Sequence, residues 1–260
     1  MARCLSFSFG KGFTFAKPDC NSTYLLRAPQ EIVIVTVGNK AQKKEFKVYK
    51  ELLAQDSSVF RDALNESEND VEVQEIDLGT EFKSWHFGVY VDTLYRSYFV
   101  NDFKLRKEHL RKWEPLVGTL TLWKIANRFD NSKITSIASE SIRFQLSNYS
   151  TAWWKRIYGK KTAAEMLATL KSFEKAALKC EAEQLPFQDE IIQACGNMPP
   201  QIYEKHADKL LPEFAMELSK KITMRFADPD LQESIKRSSS VTPTDDGNLS
   251  PDDNTVIHLD

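Results

Sequence analysis

The sequence has few cysteines and no long hydrophobic run. Its 260 residues include four cysteines, no two of them closer than 15 residues: Cys4, Cys20, Cys180 and Cys195. So few thiols exclude a disulfide scaffold, and their spacing excludes the CxxC pairs of redox and zinc sites. No segment approaches the roughly 18 apolar residues of a membrane span, and the start lacks the apolar core of a signal peptide. We therefore expect an intracellular protein of the cytoplasm or nucleus, without membrane association.

A strong net charge is also absent. The formal net charge is −2 and the isoelectric point is about 6.2, which argues against a strongly cationic nucleic-acid or membrane binder. The average conceals an asymmetry, because residues 228–260 hold eight acidic and two basic side chains, a net charge of −6. The preceding 227 residues therefore carry about +4. With 42% hydrophobic and 28% charged residues, the chain has the composition of an ordinary protein with a hydrophobic core.

No catalytic constellation is visible in the sequence. None of the histidines has another histidine or a cysteine three or four residues away: His86, His109, His206 and His258. The GxxxxGK[ST] phosphate loop is missing, and the aspartate pairs of the tail have no dry cavity that would raise a carboxyl pKa. We expect no enzyme, no metal and no cofactor. The alternative that stays open is an enzyme with a dispersed site, in which His206 meets Cys180 or Cys195 across the fold.

The pattern from Glu31 to Leu64 changes from the period of a strand to that of a helix. The segment EIVIVTVG is almost continuously β-branched, and EFKVYK follows a glycine–asparagine turn as its hairpin partner. Apolar residues then recur at helical spacing. Asp56, Ser57 and Ser58 interrupt them, which predicts two short helices with a polar cap between them. We predict that these helices cover the sheet with Leu53 and Phe60, and the apolar residues of the segment are the candidate core and interaction residues: Leu52, Leu53, Val59, Phe60 and Leu64.

The rest of the chain predicts a third strand, a set of helices and a tail. Alternation in VEVQEIDLG predicts the strand, and helical periods then run from Thr80 to Phe226. The segment TAAE at residues 162–165 has the pattern of a capping box. Beyond Asp228 the serine, proline and aspartate content is typical of a disordered tail. Four tail positions match kinase substrate contexts, with a terminus that carries no signal as the alternative: Ser238, Ser239, Thr242 and Ser250.

This order of elements resembles the BTB/POZ family, and individual residues agree with it. In VTVGNKAQKKEFKVYKELLAQDSSVFRDAL, the family's serine and phenylalanine positions are held by Ser57, Ser58 and Phe60. The segments EIDLGTEFKSWHFGVYVDTLY and LVGTLTLWKIANRFDNSKI resemble the next strand and helices, and PEFAMEL resembles the C-terminal helix of the fungal branch. The resemblance implies an α+β BTB/POZ fold, a small sheet flanked by helices, followed by an all-helical extension.

Four regions follow from the patterns and the resemblance together. Residues 1–27 form an aromatic strand or hairpin extension with alternating Leu5, Phe7 and Phe9, which either packs within the chain or swaps onto another copy. Residues 28–148 are the expected BTB/POZ domain, residues 149–227 the helical extension, and residues 228–260 the disordered acidic tail.

The resemblance implies a function in protein–protein interaction. Self-association is the family expectation, with protein partners and no small-molecule substrate. The more specific form is a substrate adaptor for a cullin-type ubiquitin ligase, with a candidate cullin-facing loop at Leu64, Glu66, Glu68 and Asp70. Three departures stand against the family pattern: Tyr49 replaces the usual histidine, Glu31 is the nearest acid to the usual aspartate before the first strand, and Glu68 occupies the apolar position of the hydrophobic–x–Glu triplet. A transcriptional regulator or scaffold without cullin binding is therefore the alternative.

Two segments mix cations with aromatic residues, as single-strand nucleic-acid binders do. One spans residues 104–113, and the other is WWKRIYGKK at residues 153–161. The simpler interpretation is a solvated charged connection and a helix whose tryptophans face the core. Because the body carries only about +4, we favour this interpretation and expect no nucleic-acid partner.

Overall fold

The computed structural model describes residues 31–39, 43–66, 74–110 and 114–227. Within these ranges the protein is a mixed α+β fold, mostly helical, with one small three-stranded sheet. The predicted N-terminal hairpin (residues 1–27), the predicted disordered tail (residues 228–260) and its four candidate phosphorylation sites lie outside the described residues.

The sheet is built around a central strand, β1 (Ile32–Val37), in the order β2-β1-β3. On one side β2 (Lys44–Tyr49) pairs antiparallel to it, as predicted for the hairpin. On the other side β3 (Gln74–Asp77) pairs parallel to it. A parallel pair needs a crossover connection, and two helices placed between β2 and β3 provide it. The valines of β1 are fully buried because these and later helices cover the sheet.

The crossover consists of α1 (Lys50–Gln55) and α2 (Ser58–Glu66), two short helices as the sequence predicted. Four of the five predicted face residues are buried, each no more than 1% exposed: Leu52, Leu53, Phe60 and Leu64. The fifth, Val59, is 36% exposed and therefore lies at the surface instead of in the core. Phe60 and Leu64 lie four residues apart on one side of α2, whereas Val59 is turned about 100° away from Phe60.

Helices make up the remainder of the described chain. Trp85, in the first turn of the helix after β3, is 47% exposed. The capping box predicted at Thr162 is confirmed, since its side chain accepts the Glu165 N–H at 3.2 Å while the Glu165 carboxylate accepts the Thr162 N–H at 2.8 Å. Beyond β3 the helices are α3 (Ser84–Phe99), α4 (Pro115–Arg128), α5 (Ser132–Ser147), α6 (Thr151–Ile157), α7 (Ala163–Glu183), α8 (Gln188–Gly196), α9 (Pro200–His206) and α10 (Pro212–Ala227).

The buried side chains form two hydrophobic clusters that share α4 and α5. The first cluster lies between the sheet and α1 to α5, and the second lies among α4 to α10. Trp123 of α4 packs against both: its ring lies 5.3 Å from that of Phe187, and its Nε1–H donates to Ser139 Oγ at 3.0 Å. The sequence-based boundary after residue 148 is therefore crossed by continuous packing.

A buried polar cluster joins α2 to the turn between α4 and α5. The side chain of Ser57 caps α2 by accepting the Phe60 N–H at 3.2 Å, and its hydroxyl donates to the carbonyl of Phe129. The main chains of Ser57 and Asn131 form an isolated β-bridge. Both residues are fully buried. We call these two residues, with their partners, the Ser57–Asn131 node.

Asn131 makes the remaining side-chain hydrogen bonds of the Ser57–Asn131 node. Its Oδ1 accepts the Ile134 N–H at 2.9 Å, which makes Asn131 the N-cap of α5. Its Nδ2 donates to the hydroxyl of buried Tyr90 at 3.1 Å. Every hydrogen bond in this cluster connects polar groups that would otherwise face an apolar core. Loss of one of these bonds therefore destabilises the fold more than loss of a surface hydrogen bond.

We predict that Phe60→Ala destabilises the protein by about 3–5 kcal/mol, because truncating a buried aromatic residue leaves a cavity. The Phe60 ring lies 4.4 Å from the ring of Phe129, deep in the first cluster. Urea denaturation measures the loss, and Val59→Ala, one residue away on the exposed side, is the matched control with an expected loss within about 0.5 kcal/mol. Similar losses in the two variants would contradict the assigned face of α2.

We predict that Asn131→Ala costs about 2–4 kcal/mol, since it removes a helix cap and leaves the Tyr90 hydroxyl buried without its partner. Asn148→Ala, on the exposed end of the same helix, should cost less than about 0.5 kcal/mol. A double-mutant cycle measures the coupling. Tyr90→Phe should cost less in the Asn131→Ala background than in the native protein, and equal costs would show that the bond does not stabilise the fold.

Candidate functional site

The outer side of the α1–α2 pair is the surface on which the sequence placed protein contacts. Val59 is an exposed apolar residue of this pair, and the two helices also carry exposed polar residues: Glu51, Gln55, Arg61, Asp62 and Asn65. Arg61 also fixes the angle between the two helices. Its guanidinium donates to the carbonyls of Ala54 at 3.2 Å and Gln55 at 3.0 Å, and so caps the C-terminal end of α1. The pair therefore presents one rigid surface to solvent.

The candidate cullin-facing loop is described only in part. Leu64 is 1% exposed and lies four residues beyond Phe60 on the buried side of α2. The prediction that Leu64 faces a partner is therefore corrected, because its side chain belongs to the first hydrophobic cluster. Glu66 is the last residue of α2, whereas Glu68 and Asp70 lie outside the described residues.

Among the described residues, the cysteines and the histidine of the enzyme alternative are buried, and no hydrogen bond between them is present. Burial raises the pKa of the Cys180 thiol to about 12 and raises that of Cys195 well above its usual value. Both therefore stay protonated near neutral pH, and the thiolate is the reactive form. His206 is buried, which lowers its pKa. Among the described residues no hydrogen bond joins it to either cysteine, and its Nδ1 makes none.

The other described histidines lie in separate surroundings. His86, at the start of α3, lies near charged groups of α4 and α7, and burial together with Lys83 lowers its pKa to about 4. His109 accepts the Arg106 N–H at 2.9 Å through Nδ1, and its pKa is also lowered by burial. Within the described ranges, no three histidine, cysteine or acidic side chains are grouped so that they could hold a metal ion. Cys4, Cys20 and His258 lie outside those ranges.

The two basic segments have different environments. Lys104 and Arg106 are exposed in the connection after α3, and residues 111–113 lie outside the described part of the chain. In the second segment Trp154 is fully buried, and its Nε1–H donates to the Ala194 carbonyl at 3.3 Å. Trp153 is partly buried and packs against the second cluster. The tryptophans thus face the core, while the cations that follow them face solvent.

Two buried charged residues that hold the extension together were not predicted. The Glu174 carboxylate accepts the Leu211 N–H at 2.6 Å, just before α10, and a bond from Lys171 at 2.8 Å. The Arg225 guanidinium donates to the carbonyls of Gly196 at 3.1 Å and Met198 at 3.3 Å, at the end of α8. The signal that identifies both is a charged residue on an apolar helical stripe: Glu174 follows Leu170 by four positions.

Comparison with known proteins identifies no family for this chain. No protein-family model matches the chain, and a search of curated proteins found no match. Of the helices described, none is both long and apolar enough to span a membrane. The fold class that the structure defines is therefore α+β with a small mixed sheet and a large helical part.

We predict that a thiol-alkylating reagent modifies Cys180 and Cys195 in the native protein at least roughly 100-fold more slowly than in the urea-unfolded chain, because both thiols are buried and protonated. Peptide-resolved mass spectrometry at about pH 8 follows each site, and the unfolded chain is the control. Rapid native alkylation of either cysteine, slowed by His206→Ala, would instead indicate a nucleophile activated by that histidine.

Proposed function

We propose that this protein is a protein–protein interaction module of the BTB/POZ type that self-associates through the surface of α1 and α2. The observation that carries the proposal is the order of the elements. A two-stranded hairpin leads into two short helices, which cross over to a third strand parallel to the first, and helices follow. This is the order that the sequence resemblance implies. The pairing of β3 with β1 joins segments about 40 residues apart, so no local sequence pattern determines it.

The chemistry of the described residues supports a binding role. The candidate nucleophiles are buried thiols whose pKa values are raised, and the histidines lie in separate parts of the fold. By contrast, Val59 offers an apolar contact on a rigid polar surface. Protein interfaces place their apolar contacts inside a polar rim, and an exposed valine on a polar helix pair is suited to the apolar part. A second copy of the chain is the partner that the family resemblance implies for this surface.

Within this function, the more specific role is that of a substrate adaptor for a cullin-type ubiquitin ligase. In that role the end of α2 and the loop after it contact the cullin, and the helical extension holds the substrate. Burial of Leu64 leaves the acidic residues after it, from Glu66 onward, as the candidate contacts. Contacts of this kind are electrostatic, so the adaptor role predicts binding that weakens as salt increases.

The self-association test is light scattering on the purified chain with two charge-introducing variants. We expect a dimer mass for the native protein. Val59→Asp should raise the dimer dissociation constant at least about tenfold, because it places an unpaired charge in the interface. Aspartate is tolerated in the first turn of a helix, so α2 should remain folded. Phe144→Asp, which changes a 70% exposed residue on α5, is the control and should leave the mass unchanged.

The outcomes separate the general proposal from the specific one. The same samples are titrated with the N-terminal domain of the cullin that binds BTB proteins. A dimer that binds at micromolar concentration or tighter supports the adaptor role. A dimer that does not bind supports a scaffold or regulator without a cullin. A native monomer that does not bind contradicts both forms of the proposal.

A further inference from the structure

The segment that begins with α6 carries a dense group of exposed cations. Between residues 150 and 161 there are four basic and no acidic residues. All four are exposed: Lys155, Arg156, Lys160 and Lys161. We call them the α6 basic patch. Within the described chain no ion pair involves Lys155, Arg156 or Lys160, whereas many other surface lysines of the protein have a carboxylate partner.

The patch is held rigidly on the body of the protein. Trp154 anchors α6 in the second cluster, so the cations beside it have to point outward. Lys161 donates to Thr169 Oγ1 at 3.3 Å, and its Nζ lies 5.7 Å above the ring of Trp153. Tyr158, in the middle of the patch, is also exposed. The result is a positive surface in which Lys161 lies near the Glu165 carboxylate, whereas Lys155, Arg156 and Lys160 form no ion pair with a described residue.

The C-terminal end of α10 lies against the start of α6, the helix that carries the first two residues of the patch. Arg225 Nη1 donates to Thr151 Oγ1, the first residue of α6, at 3.5 Å. Lys155 follows Thr151 by four residues and therefore lies on the same side of α6, about 6 Å along its axis. The chain consequently leaves α10 at Ala227 beside the patch.

The residues that follow α10 have the complementary charge. Asp228, Asp230 and Glu233 are the first acidic residues after the helix, and residues 228–260 carry a net charge of −6. At about 3.4 Å per extended residue, six residues reach roughly 20 Å, enough to pass along α6 from Thr151 toward Lys160. Single surface ion pairs are weak, but a tether this short keeps the acidic groups at a high effective concentration.

We propose that the acidic start of the tail, residues 228–233, binds the α6 basic patch of the same chain. This contact neutralises the patch and excludes other polyanions from it. The partner is thus a segment of the protein itself, and the nucleic-acid-like mixture of cations and aromatic residues serves an internal contact. Phosphate groups at Ser238 or Ser239 would add negative charge a few residues further along the same segment.

The test follows the amide resonances of residues 228–260 in the isotope-labelled full-length protein. Lys155→Glu/Arg156→Glu/Lys160→Glu should shift the resonances of Asp228 to Glu233 toward the positions they take in about 0.5 M salt, where the contact is screened. The matched control is Lys44→Glu/Lys47→Glu/Lys104→Glu, which reverses three exposed lysines elsewhere. It should leave these resonances unchanged, and equal responses to the two triple variants would overturn the proposal.

A charge-exchange variant tests whether the shifts come from the contact itself or from a nonspecific effect of the substitutions. Asp228→Lys/Asp230→Lys/Glu233→Lys, added to the patch variant, should restore the resonances of the segment to salt-sensitive positions. Failure to restore salt sensitivity would overturn the proposal.

Two further outcomes also count against it. Carbodiimide cross-links between the tail and Lys155 or Lys160 that join chains of different isotope in a mixed sample would show docking on a second copy. Salt-sensitive binding of a single-stranded oligonucleotide to the native protein, with the tail resonances unchanged, would show that the patch serves nucleic acid instead. Cross-links within one chain, and an oligonucleotide that binds only the tail charge-reversed protein, would support it.

Discussion

The arrangement of this protein depends on satisfying a few polar groups inside an apolar core. The turn between α4 and α5 leaves the Phe129 carbonyl and the first N–H groups of α5 without helical partners, beside the buried residues Phe129 and Asn131. Ser57 and Asn131 supply those partners, and their main chains form a β-bridge. An unsatisfied buried carbonyl or N–H costs more than the bond itself contributes, so α2 has essentially one position against α4 and α5. The position of α2 in turn fixes the crossover between β2 and β3.

Local chemistry made much of the fold predictable. The hairpin, the break at Asp56 to Ser58 and the capping box at Thr162 each depend on residues within a few positions of one another. What the sequence could not give was the choice among neighbouring candidates. Val59 and Phe60 are both apolar and adjacent, and only contact with Phe129, far along the chain, decides which one is buried. The sequence likewise predicts Leu64 both in the core and on a partner-facing loop, because the local pattern does not show on which side of α2 it lies.

The candidate sites were less predictable, because their members come from distant segments. Arg225 contacts residues about 30 and 74 positions earlier in the chain, and no periodic pattern encodes such a pairing. The α6 basic patch was visible as a charge run, but its proximity to the end of α10 was not. That proximity gives the acidic tail a local target. Similarly, the continuity of the two hydrophobic clusters through Trp123 was hidden by the change of pattern after residue 148.

The sharing of α4 also constrains how the chain can be synthesised and folded. All residues of the first cluster precede residue 139, so this cluster can form during synthesis before α7 has emerged from the ribosome. Until then, the opposite side of α4 and α5 has no cover, including Leu116, Leu120, Ile142 and Leu146. A nascent chain paused at that stage exposes these apolar side chains to solvent. Chaperones would engage the nascent chain there, and rapid translation of α7 and α8 would protect it from aggregation.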